Sequence, residues 1–267
     1  MAEAASHILF ALRRAYGLAR STAIYRGNPI KRRRARSFYR QFIRRGDLCF
    51  DIGAHLGDRT AHFLSLGARV VAVEPQPRLM AVLKRRFGSH PRVTLINAAL
   101  GAAPGKATLA IDPAHPTVAT LSPDYIALAG ESRGFRHVRW RERIEVDVTT
   151  LDALIAVHGP PAFCKIDVEG YEHAVIEGLS RPLPGLSLEY LPAALDPVLI
   201  AIARLNRLGL YRFNRSPGES MALAVPRWLG AAEMGAALKR LPRDEQAGDV
   251  YAFLDDSPIL DDNRPSR

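Results

Sequence analysis

The stretch LCFDIGAHLG, residues 48–57, decides the fold. A short apolar run ends on an acid, Asp51, and a glycine, Gly53. A second glycine, Gly57, opens the helical pattern GDRTAHFLSLG over 57–67. Strand, glycine turn and helix in that order begin a strand–helix–strand unit. Working outward, ARVVAVEP (68–75) reads as a second buried strand, residues 77–87 as a helix, and RVTLINAAL (92–100) as a third strand. Short apolar strands alternating with helices predict an α/β fold with a doubly wound, mostly parallel, Rossmann-like sheet.

The alternation then pauses. KATLAID (106–112) reads as a strand, but 113–138 is rich in Pro, Ser, Gly and Asp, which predicts a loop or lid. It resumes with RIEVDV (143–148), a helix from Thr149, the strand AFCKIDVEG (162–170), a helix over 171–179 and the strand GLSLEYL (185–191). A helix over 197–208 and the strand YRFNR (211–215) follow, with MALAVP (221–226) and DVYAFL (249–254) as closing strands. Residues 47–256 are therefore one expected catalytic domain, and 257–267 a frayed tail.

The chain has 267 residues and a net charge of +10. Residues 1–46 hold twelve Lys and Arg against the single acid Glu3, which leaves the body close to neutral. Charge thus marks 1–46 as a basic N-terminal arm. Ile8, Leu9, Leu12, Ala15 and Tyr16 recur at helical spacing, and so do Phe38, Phe42 and Ile43, so the arm is expected to be helical. Two readings of it stay open: solvated helices packed on the domain, or peripheral contact with an anionic membrane. The two cysteines, Cys49 and Cys164, sit in apolar runs and suit a reducing, cytoplasmic setting, with neither a disulfide nor a metal site expected.

Asp51 stands where a pyrophosphate would meet repulsion, and GAHLG lacks the glycine spacing of a dinucleotide site. An amino-acid ligand suits the position better, since Asp51 can accept from its ammonium. Glu74 ends the second strand, where an acid reaches ribose hydroxyls in a doubly wound fold. Together the two acids suggest S-adenosylmethionine. A second acidic group, in KIDVEGYE (165–172), ends a later strand and faces the same crevice. Asp167, Glu169 and His173 are the candidate bases by location, and His55 in the glycine turn is another, the alternative being contact with the cofactor or solvent. Glu189 could join the rim or be a surface acid.

FDIGAHLG, VAVEP, INAALG (96–101), TTLDAL (149–154) and KIDVEGYE together resemble the FkbM family of S-adenosylmethionine-dependent methyltransferases. The resemblance implies the class I methyltransferase fold. It implies that Asp51, Gly53 and Gly57, with Ala54 and His55 between them, hold the methionine part of the cofactor. Glu74 would hold the ribose, and Asn97 and Ala98 would lie near the adenine. Asp167 and Glu169 would face the acceptor. The implied reaction is O-methylation of a sugar, glycan or natural-product hydroxyl.

Two rivals are weighed. An RNA methyltransferase would use the basic arm, but the chain has Asp-Val-Glu-Gly where base methylation needs an Asn/Asp-Pro-Pro-aromatic motif, so nucleic acid is not expected as a partner. A non-catalytic binding protein on the same fold would not need the acids at both strand ends. His55, His62 and His173 are scattered, so no metal is expected.

Overall fold

The computed structural model describes residues 29–131 and 137–261. Helix α1 (Pro29–Tyr39) precedes β1 (Leu48–Ile52), α2 (Asp58–Ser65), β2 (Arg69–Val73), α3 (Pro77–Phe87) and β3 (Val93–Ile96). Next come β4 (Ala99–Leu100), β5 (Gly105–Ile111), α4 (Pro123–Glu131), β6 (Glu142–Thr149) and α5 (Leu151–His158). The chain continues through β7 (Phe163–Ile166), α6 (Glu172–Glu177), β8 (Gly185–Tyr190), α7 (Asp196–Leu208), β9 (Tyr211–Pro217), α8 (Ala231–Lys239), β10 (Gly248–Leu254) and α9 (Pro258–Asp261).

Seven strands form one sheet in the order β3-β2-β1-β7-β8-β10-β9. The first five are parallel, and β10 runs antiparallel to both β8 and β9. Strand alternation sorts the side chains between two cores. Phe50, Ile52, Val71 and Val73 fall in one, and Cys49, Val70, Ala72 and Phe163 in the other. Covering on both faces explains why these strands read as unbroken apolar runs. Strand order reverses at β1, whose neighbours are β2 and β7, so a crevice opens beyond the carboxyl ends of β1 and β7.

Several boundaries differ from those the sequence suggests. The third strand divides at Asn97-Ala98: β3 stays in the large sheet, while β4 pairs with β6 in a separate sheet of order β4-β6-β5. The Asn97 amide donates to the Glu74 and Pro75 carbonyls at 2.8 and 3.0 Å, which fixes the chain at the break. Within 113–138 lie a 3-10 turn (Pro116–Val118) and α4, whose Tyr125 and Ala129 are buried. MALAVP forms no strand. The Asn214 side chain pairs with the backbone of Val225 instead, and Pro226 has no N–H for a ladder. Helix α8 falls in a stretch for which the apolar pattern predicts no element. Within the expected tail, α9 is helical and Ser257 and Leu260 are buried; residues 262–267 lie outside the described residues. Cys49 and Cys164 are free and buried.

In the arm, α1 packs on the domain, as one of the two readings of 1–46 expects. The apolar side of α1 and of the turn after it is buried on the domain: Ala35, Phe38 and Tyr39 of the helix, with Phe42 and Ile43 beyond it, join the core with Phe163, Tyr251 and Phe253. The rings of Phe38 and Tyr251 are 5.1 Å apart and those of Phe42 and Phe253 4.9 Å, distances at which edge and offset ring contacts add to area burial. The division that charge places at residue 46 is thus not a division of packing. The spacing read over residues 8–16 lies outside the described residues.

Candidate active site

Beyond the carboxyl ends of β1 and β7 lies a cleft of about 180 Å³. Its floor begins at Asp51, which is 1% exposed and accepts a hydrogen bond from the Thr60 hydroxyl of α2. The chain then turns sharply. Gly53 has φ 77°, and a Cβ there would stand 1.8 Å from the Asp167 carbonyl oxygen, so only glycine lets the β1 and β7 turns meet. Ala54 and His55 continue the cleft wall. Burial lowers the His55 pKa to about 4, so its ring is neutral near pH 7. Gly57 does not line the cleft. It precedes α2 and lets that helix start against Leu83 and Phe87 of α3.

Glu74, at the end of β2, is 3% exposed. One carboxylate oxygen accepts from the His55 N–H and the other from the Gln76 N–H, both at 2.9 Å. Each oxygen has a second acceptor position. Burial nevertheless pushes the carboxyl up to about 7, against these hydrogen bonds. Ala98 lines the cleft, while Asn97 spends its amide on the β2 end and does not. The small sheet supplies the facing wall through Leu109, with Thr117, Ala119 and Leu121 from the segment after it.

The β7–β8 rim is built differently. Lys165 is 1% exposed, and its ammonium lies 3.0 Å from Asp167 and 2.8 Å from Asp249 on β10. Burial would raise the Asp167 pKa, but the Lys165 charge outweighs it and the net shift is downward. Strand β7 ends at Ile166, so Asp167 and Glu169 sit on a turn, with Glu169 at φ 55°. Burial and the charge of Asp167 push Glu169 well above the usual carboxylate range, and Glu189 behaves the same way. Ligand oxygens of Asp167, Glu169 and Glu189 all lie within 4.8 Å of one another, a spacing that could hold a cation, though acidic groups often cluster without one. His173 does not line the cleft. It lies on α6 with its ring 5.7 Å from that of Tyr171.

Sequence reading missed the residues that hold this rim. The Tyr125 hydroxyl of α4 donates to Glu169 at 2.5 Å, and Thr120 donates to the Glu169 carbonyl at 2.6 Å. The Tyr125 ring packs where a Cβ on Gly170 would stand. Spacing of Tyr125 and Ala129 at i, i+4 was the available signal. Asp249 was signalled too, as an acid inside an otherwise apolar strand. Glu219 and Arg59 complete the lining as an ion pair at 2.8 Å, and nothing in their local sequence joins them.

The family model of the methyltransferase FkbM domain matches residues 51–192, over half of the chain. Among solved structures, the chain is similar to the methyltransferase FkbM from Methylobacillus flagellatus KT, at 16% identity and a TM-score of 0.47. That match covers 78% of this chain and 44% of the other, so the chain spans less than half of that protein's length. It is also similar to a TehB-like SAM-dependent methyltransferase from Corynebacterium glutamicum (11% identity, TM-score 0.46, 91% of this chain and 98% of that one). An O-methyltransferase from Bacillus cereus in complex with SAH is a third (13%, 0.43, 92% and 90%). At such identities these likenesses say nothing of substrate. No curated protein matches in sequence. The family match begins at Asp51 and takes in both acidic strand ends, and the chain belongs to the FkbM family of S-adenosylmethionine-dependent methyltransferases.

Proposed function

We propose that the protein methylates a hydroxyl of a sugar, glycan or natural-product acceptor, with the acceptor bound against the β7–β8 rim. The observation that carries this reading is the pairing of unlike carboxyls there. Asp167 is held ionised by Lys165, beside Glu169 and Glu189, which favour their protonated forms. Carboxyl groups pushed apart in this way suit proton handling at one site. S-adenosylmethionine supplies the electrophilic methyl group when bound. Asp51 would receive its ammonium and Glu74 its ribose hydroxyls, with Gly53, Ala54, His55 and Ala98 against it. Asp167 would accept a hydrogen bond from the acceptor hydroxyl, orient it and take its proton as the new bond forms. The walls from the small sheet would exclude water.

A methyl-transfer screen against sugar nucleotides and glycolipids tests the substrate class. With the acceptor found, Asp167→Asn should keep S-adenosylhomocysteine affinity and lower turnover by about a hundredfold or more. Unchanged turnover would remove Asp167 from the reaction. The close carboxyls also favour a second reading, in which a divalent cation assists at Asp167, Glu169 and Glu189. Activity unaffected by a chelator would eliminate it.

A further inference from the structure

We infer that the outer face of α1 is a docking surface for an anionic lipid membrane. Residues 29–46 contain eight cations and no acid. Among them, Arg32, Arg33, Arg34, Arg36, Arg40, Arg44 and Arg45 are all exposed. The helix is not a loose tail. Ala35, Phe38, Tyr39, Phe42 and Ile43 fix it in the core, so the cations are displayed on a rigid support. Arg33 lies on the side opposite those buried residues, Arg36 flanks it, and Arg40 follows just past the helix end; all three are exposed.

The apolar face of α1 is already used by the domain, so this helix cannot lie on a bilayer apolar face down. What remains is electrostatic contact with anionic headgroups, which attract each nearby Arg and act within a Debye length. Two features favour lipid over nucleic acid. Ile30, at the start of the cationic face, is 76% exposed, an apolar residue suited to the headgroup boundary. The cleft lining holds seven acids against the two cations Arg59 and Lys165, and Asp58, Asp167 and Glu219 among those acids disfavour a phosphate chain entering it.

The test uses the full chain with Arg33, Arg36 and Arg40 all changed to Glu, and vesicles of phosphatidylcholine with or without phosphatidylglycerol. All three side chains are exposed, so folding should survive. Unchanged affinity for S-adenosylhomocysteine by calorimetry shows that it has, and separates failure of membrane docking from failure of the proposed reaction. The unaltered protein should sediment with anionic vesicles at low salt, be released by added salt, and ignore neutral vesicles. The triple variant should lose about tenfold or more of that partitioning. No binding to anionic vesicles, or binding undiminished in the variant, would overturn the inference. So would tighter, Arg33-, Arg36- and Arg40-dependent binding to single-stranded RNA, which would assign the surface to nucleic acid.

Discussion

The two rims of the cleft use the same residue type in opposite ways. On the β1–β2 rim, Asp51 and Glu74 are each satisfied by neutral partners: a hydroxyl in the first turn of α2, and backbone N–H groups of the loops after β1 and β2. On the β7–β8 rim, Asp167, Glu169 and Glu189 crowd together, and their buried cation, Lys165, is shared with Asp249. The first rim is complete before any ligand arrives. The second holds carboxyls shifted in opposite directions, Asp167 down by the Lys165 charge and Glu169 and Glu189 up by burial.

The change that should disturb this contrast most is Gly53→Ala, because Gly53 is where the rims touch. A methyl group there meets the Asp167 carbonyl and a positive φ, so it should destabilise the fold by about 3 kcal/mol or more and abolish S-adenosylhomocysteine binding. Thermal melting with calorimetry would check both. Lys165→Met comes next. It leaves Asp167 and Asp249 without their shared cation, and a loss of roughly 3 kcal/mol in denaturant unfolding near neutral pH is expected. If the variant were as stable as the parent, the second rim would not depend on that charge.

Glu74→Gln sharpens the contrast from the cofactor side. Hydroxyl donors favour ionised Glu74, whose pKa lies at about 7, so S-adenosylhomocysteine affinity should rise as pH rises through 7. The Gln variant should bind more weakly and lose that pH dependence. The same shift bears on stability. Glu74 and Glu172 both have pKa values near 7 in the fold against an ordinary 4.5. Their contribution is therefore full below 4.5 and is lost as pH rises to about 7, which melting of the ligand-free protein would show. Tyr125→Phe should cost about 1 kcal/mol, the worth of one hydrogen bond, and raise the Glu169 pKa further, as carboxyl titration by NMR would report. The smallest effect belongs to His173→Asn. It should leave S-adenosylhomocysteine affinity unchanged, in keeping with its place outside the cleft lining.

The first rim was legible because its logic is local. LCFDIG and VAVEP each carry strand, acid and turn within a few residues, and β1 and β2 lie side by side. The second rim was half legible. KIDVEGYE announced Asp167 and Glu169, but Tyr125 reaches Glu169, and Asp249 reaches Lys165, from elements distant in the chain. Apolar patterning found β5 and β6 as strands, yet could not say that they leave the main sheet, because pairing partners are set by register and not by composition. Net charge alone says little about the packing of the arm, for a related reason. It counts what a helix shows to water, and the aromatic face of α1 is written between the arginines.

That aromatic face has a practical consequence. A shortened protein starting at residue 47, where the charge changes, would strip Phe38, Tyr39 and Phe42 from Phe163, Tyr251 and Phe253. The uncovered rings would form a contiguous greasy surface, and such surfaces invite self-association. The trimmed chain should be less soluble than the intact one, although it would carry far less of the positive charge that first sets the arm apart.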